Sequence, residues 1–210
     1  MNSIYEEDFG RDVDYLRNVG FDPYPPRLHI QLPNARERLM AGLRYYLGNN
    51  AKWLPGYDDI VDWLTDNKGR GLLCVGTCGL GKTLICQNIL PVLIHQYAGK
   101  IVSSYTATEM NRNIDKVLQE PCMVIDDLGT ETSEVNNYGT RRTPFAELCD
   151  IAERRGKLII ITTNLVTEHV IDKKTKQPIP SIEDRYGTRT LDRLRAITKV
   201  AIFEGKSMRG

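Results

Sequence analysis

The amino-acid sequence predicts an α/β fold in which a five-stranded parallel sheet lies between helices. Three observations carry that expectation. From Gly71 onward short apolar runs alternate with segments of helical periodicity, the pattern of a parallel sheet covered on both faces. Two of the runs, 123–125 and 158–161, are apolar at every position, as strands buried on both faces must be. A glycine-rich stretch, 76–83, stands between a strand-like run and a helix-like run.

Taken in order, residues 1–32 are poorly periodic and interrupted by Pro23, Pro25 and Pro26, with Pro33 just beyond. They read as an arm or docking segment. Asn34 is placed to cap a helix that ends at Leu47, with Leu39, Leu43, Tyr46 and Leu47 on one side. A second helix is expected over 58–66, with Ile60, Val61 and Leu64 as its apolar face. These spans divide the chain into an arm and linker helix, 1–54, and a main domain, 55–210. Within the main domain the reading is strand 71–75, helix 82–97, strand 101–105, helix 107–118 and strand 122–125, which ends on Asp126 and Asp127. A long polar loop, 129–142, follows. Thr143 and Pro144 look like an N-cap followed by proline at the first helical position, opening a helix to Arg155. Strand 158–162, helix 188–196 and strand 199–203 complete the pattern.

A chain of 210 residues fits one such domain with a short appendage, and its 41% hydrophobic and 26% charged residues are ordinary for a globular protein. No apolar run approaches the length that spans a bilayer, and residues 1–8 are too acidic for a secretory signal. The five cysteines form no C-x-x-C pair, and four of them lie in or beside apolar runs. They read as small buried thiols rather than zinc ligands, and a reducing, cytoplasmic setting is expected. A net charge of +1 excludes a polycation, but the charge is uneven. Residues 1–32 hold six acids against three arginines, whereas 185–210 hold seven basic residues against two acids.

The chemistry concentrates at three places. Gly76, Thr77, Cys78, Gly79, Leu80, Gly81, Lys82 and Thr83 satisfy G-x-x-x-x-G-K-[ST]. Glycines let backbone N–H groups converge on phosphate oxygens, and the helix that begins near Lys82 points its positive end at the same anion. The stretch through Leu84 is therefore expected to hold ATP, with Lys82 on the β- and γ-phosphates and Thr83 on Mg²⁺. Asp126 is expected to hold the same ion. Strand alternation sends Asp127 to the opposite side, where it would orient or deprotonate the attacking water. Asn164 ends another apolar strand, on the sheet edge where ligands gather, and would touch the γ-phosphate or that water.

The series G-T-C-G-L-G-K-T, V-I-D-D-L-G, I-I-I-T-T-N-L and R-Y-G-T-R-T-L-D-R-L resembles the AAA+ ATPases of the bacterial helicase-loader clade, the group of DnaC/DnaI helicase loaders and IstB-type transposition helpers, over residues 55–210. The resemblance implies an AAA+ type of P-loop NTPase fold and slow, assembly-dependent ATP hydrolysis. It makes Asn164 the first sensor residue and Arg193 an arginine finger toward a neighbouring subunit, with Arg189 supporting it on the same helical face. Arg209 is placed as a second sensor. Self-association into a ring or spiral is implied, together with single-stranded DNA, a replicative helicase as partner and no membrane. A transposase is the alternative partner, and a small-molecule kinase is a third reading that the arginine pair disfavours. Asp126-Asp127 stands where many AAA+ proteins have Asp-Glu. Tyr105, Arg112, Lys116, Asn137, Tyr138, Arg141 and Arg142 are candidates for DNA contact. The aromatics Tyr5, Phe9, Tyr15, Phe21 and Tyr24 make the acidic leader a candidate docking arm or a strap on the domain's own surface.

Overall fold

Residues 4–21, 26–137 and 139–205 are described in the computed structural model of the chain. Tyr24, Tyr138 and Arg209 lie outside them, as does the side chain of Asn137.

The apolar runs become five parallel strands: β1 (Gly71–Gly76), β2 (Ser103–Thr106), β3 (Cys122–Leu128), β4 (Leu158–Thr163) and β5 (Thr198–Phe203). Their order across the sheet is β2-β3-β4-β1-β5. Leu72 pairs with Ile160 on one side and Lys199 on the other, Val124 with Ile160, and Ser103 with Met123. Alternation along the strands divides the interior into two cores. Leu72, Cys74, Val124, Ile160 and Ala201 face one side. Leu73, Met123, Ile125, Ile159 and Ile161 face the other. Both faces are dry, which is why β3 and β4 carry no polar alternation.

The first core is closed by α2 (Ala35–Leu47), α3 (Gly56–Thr65), a π-helical segment Leu84–Ile89 and its continuation α4 (Leu90–Ala98). Pro91 near the start of α4 has no N–H to donate one turn back, and the helix widens ahead of it. The second core is closed by α5 (Ala107–Arg112), α6 (Ile114–Val117), α7 (Pro144–Arg155), α8 (Ile182–Tyr186) and α9 (Thr188–Ile197). Full burial of a Leu or Ile side chain contributes about 1.5–3 kcal/mol, so the two layers together supply most of the drive to fold.

Several expected elements differ in detail. The leader contains a helix, α1 (Ile4–Asn18), none of whose residues is buried. Residues 26–33 form an extended strap that buries Ile30 and Leu32 in the first core, and Leu39 and Leu43 of α2 join them, so this core runs across the expected division at 54/55. The strap is tied down by Asn67, whose Oδ1 accepts from the Ile30 N–H and whose Nδ2 donates to the Leu28 carbonyl. Asn34 makes no side-chain cap; it sits in the left-handed region (φ 53°) and contributes only its carbonyl, to the Arg38 N–H. Thr143 likewise makes no side-chain cap. β2 begins at Ser103 because Ile101 is exposed beyond the reach of β3. The expected helix 107–118 breaks at Asn113 (φ −125°, ψ 31°). The polar loop 129–142 holds an antiparallel hairpin pairing Val135–Asn137 with Thr140–Arg142, and a second hairpin pairs Val170–Ile171 with Pro178–Ile179. Among the described residues no helix is long and apolar enough to cross a membrane.

Candidate phosphate-binding site

The ends of β1, β3 and β4 meet at one edge of the sheet, and the glycine-rich loop, Asp126, Asp127 and Asn164 converge there. Gly76 ends β1 with φ +152°, and a Cβ at that position would overlap the Phe203 carbonyl of β5. Gly79 and Gly81 hold φ +83° and +82°, a region costly to residues with a Cβ, and turn the loop back over the strand end. Leu80 points the other way: its side chain is buried in the first core and its carbonyl accepts from the Tyr57 hydroxyl at 3.2 Å. Its contribution to the loop is an anchor.

Inside the loop, Lys82 Nζ donates to the carbonyls of Gly76 (2.6 Å) and Thr77 (2.8 Å) and to Asn164 Oδ1 (3.0 Å). Asn164 Nδ2 in turn donates to Cys78 Sγ at 3.3 Å. Burial pushes the Lys82 ammonium below its ordinary pKa, while Cys78 and Asp127 nearby pull it the other way. A cation held by carbonyl dipoles in a partly dry loop gains from a multivalent anion, which supplies the missing negative charge.

Beside it, Thr83 Oγ1 and Thr162 Oγ1 both donate to Asp126 Oδ1, at 3.1 and 2.6 Å. Asp126 is only 5% exposed, and the two hydroxyls supply the hydrogen bonds that a buried polar group needs. These hard oxygen donors fit Mg²⁺, which prefers one or two protein oxygens completed by water and phosphate. Thr162 is also the acceptor for the Asp127 N–H at 2.9 Å. It was not among the candidate residues; its position just ahead of Thr163 and Asn164, at the end of an apolar strand, is the signal that could have found it.

Simple alternation does not carry through Asp127. The pairing of β3 with β4 shifts between Ile125 and Leu128, and Asp127 takes φ +54° at the bulge. The extra residue turns the Asp127 side chain to the surface while Asp126 stays buried. Asp127, Cys78, Lys82, Thr83, Leu84 and Asn164 line one cavity of about 300 Å³, with Leu47 of α2 at its wall.

Two predicted site residues stand elsewhere. Arg193 is held on α7, with Nη2 2.7 Å from Asp150 Oδ1 and Nε 3.4 Å from Glu153 Oε2. Arg189, one turn earlier, is exposed. Neither lines the cavity of its own chain. Of the candidate DNA contacts, Tyr105 is half-buried with its hydroxyl on Glu120, and Lys116 Nζ lies 6.0 Å above its ring. Arg142 bridges Asp115 and Glu147, which raise its pKa further. Arg141 pairs with Glu134, and Arg112 is exposed. A further link was not foreseen. Glu131, buried in the loop after β3, accepts from the Gly129 N–H and from the Tyr186 hydroxyl of α8.

A scan against protein-family models and a search of curated proteins both return no match. Among solved structures, the chain is similar to the crystal structure of the DnaC helicase loader, at 18% identity and a TM-score of 0.49 over 88% of this chain and 94% of that one. It is also similar to the crystal structure of DnaI, at 16% identity and a TM-score of 0.47 over 82% of this chain and 87% of that one. Identities this low leave the residues of the site to carry the functional reading.

Proposed function

We propose that this chain is an ATP-binding and slowly ATP-hydrolysing AAA+ protein of the helicase-loader kind, cytoplasmic, assembling as a ring or spiral that places a replicative helicase on single-stranded DNA. The observation that supports it most directly is the joint placement of Lys82, Thr83, Asp126 and Asn164 at one sheet edge, with Thr83 and Thr162 both on a single Asp126 oxygen. In this reading Lys82 exchanges its carbonyl partners for β- and γ-phosphate oxygens, and the loop N–H groups hold the phosphate chain. Thr83 and Asp126 hold Mg²⁺, which when bound neutralises charge on the phosphates. Asp127, turned outward by the bulge, positions the attacking water, and Asn164 reads the γ-phosphate. An arginine of a neighbouring copy completes the site. Arg189 is exposed and meets that copy first, whereas Arg193 must leave Asp150 to do so.

The test is direct. Lys82→Ala should weaken ATP binding by about 10- to 100-fold, the value of charge-assisted hydrogen bonds, without loss of fold. Titration calorimetry with ATP and magnesium reads it, and wild-type affinity in the variant would end the phosphate assignment. For the biological half of the reading, capture from the native cell should bring down a hexameric helicase. Recovery of a transposase instead would move the protein to the transposition helpers.

A further inference from the structure

Helix α1 and the groove between α2 and α4 are two uncovered apolar faces on one chain. Along α1, Tyr5, Phe9, Val13 and Leu16 follow i, i+4, i+8 and i+11 spacing and so form one stripe. Tyr5 is 84% and Phe9 72% exposed. Stripes of this spacing are what helices lay into hydrophobic grooves. The groove, about 540 Å³, is lined by Gly42, Tyr45 and Tyr46 of α2 and by Ile89, Val92 and Leu93 on the facing helix. Gly42 meets Ile89 so closely that a Cβ would collide with it, which leaves a flat floor between walls of aromatic and branched side chains.

The charges match as well. α1 carries Glu6, Glu7, Asp8, Asp12 and Asp14 against Arg11 and Arg17. α2 carries Arg36, Arg38 and Arg44 against Glu37, and no acid lines the groove. Stripe and groove occur in the same chain, and neither covers the other.

We infer that α1 of one copy seats in the α2–α4 groove of a second copy, with its acidic flanks against Arg38 and Arg44. The two faces differ, so the contact is head-to-tail: each copy offers one helix and one groove, and the contact propagates until it closes into a ring or continues as an open spiral. The inference is independent of the nucleotide reading, since none of these side chains belongs to the phosphate loop.

Sedimentation of the full chain without nucleotide tests it. Wild type should grow past a dimer with concentration. Phe9→Glu, which spoils the helix, and Val92→Glu, which spoils the groove, should each weaken self-association by about 100-fold, as hot-spot losses do. An equimolar mixture of the two should form a 1:1 heterodimer and nothing larger, because one intact helix then meets one intact groove. Arg44→Glu should weaken assembly, and Asp12→Arg added to it should restore it, a charge swap at exposed positions that leaves the interior alone. Monomeric wild type, assembly indifferent to these variants, or a mixture that stays monomeric would each overturn the inference, the first also covering the case in which the groove takes its own chain's α1 or a different protein.

Discussion

Asp126 shares one carboxylate oxygen between two hydroxyls, and one of them, Thr162, also accepts from the backbone of Asp127. That hydroxyl therefore joins the two acids whose roles are meant to differ. Thr162→Val keeps the shape but removes both the donor to the buried Asp126 carboxylate and the acceptor of the Asp127 N–H. The expected cost is about 1–3 kcal/mol, which for a domain of this size lowers the thermal midpoint by roughly 2–12 °C. Calorimetry of the variant against Thr162→Ser, which retains the hydroxyl, checks it. The magnesium dependence of ATP binding should also steepen in the valine variant and stay at the wild-type value in the serine variant.

At the scale of elements, α9 carries the two arginines proposed to serve a neighbouring copy. It packs on α7, and Arg193 fastens the two helices through Asp150 and Glu153. Both ion pairs are partly exposed, so Arg193→Ala should cost less than about 1 kcal/mol. Arg189→Ala should leave the thermal midpoint unchanged yet lower the ATPase rate of the assembled protein toward that of a dilute monomer. A full loss of that rate in dilute Arg189→Ala monomer, relative to dilute wild type, would place the residue in its own chain's chemistry and exclude a role across the interface. The Glu131–Tyr186 bond links the loop after β3 to α8, and α8 leads through Gly187 into α9. The loop after the acid-bearing strand is thus tied by one side-chain hydrogen bond to the helix that packs on, and leads into, the arginine-bearing one.

At the scale of the molecule, four surface carboxylates among the described residues are held below their ordinary pKa by hydrogen bonds: Asp66 by His29 and the Lys68 N–H, Glu109 by the Thr106 N–H and hydroxyl, Asp172 by the Thr175 and Lys174 N–H groups, and Asp184 by Ser181 and His169. A depressed pKa means that the unfolded chain binds protons first as pH falls. The stability these groups contribute is present above the unfolded carboxylate values, near 4, and is lost as pH drops through the folded ones. Urea unfolding should therefore be level above about pH 5 and weaken steadily below about pH 4. How much of this molecule was legible beforehand follows from the range of the forces involved. The glycine turn between β1 and the helix after it, the acid pair near the end of β3 and the buried strands were readable because each is written in adjacent residues. The turn of Asp127 was not, since alternation says nothing of a bulge whose partner strand lies thirty-odd residues on. The engagement of Arg193 by Asp150 and Glu153 escaped for the same reason. α1 was hidden by its acids, which masked four apolar residues at helical spacing.

Gly76 has a consequence for what substitutions this chain tolerates. It is the first residue of the glycine-rich loop, yet what forbids a side chain there is the carbonyl of Phe203 in the adjacent strand. Gly79 and Gly81 hold left-handed backbone angles, which cost about 1–2 kcal/mol each for a residue with a Cβ. At Gly76 the sheet itself requires the missing side chain, whatever the loop does. A glycine there marks an intact β1–β5 pair and by itself is no sign of a nucleotide site.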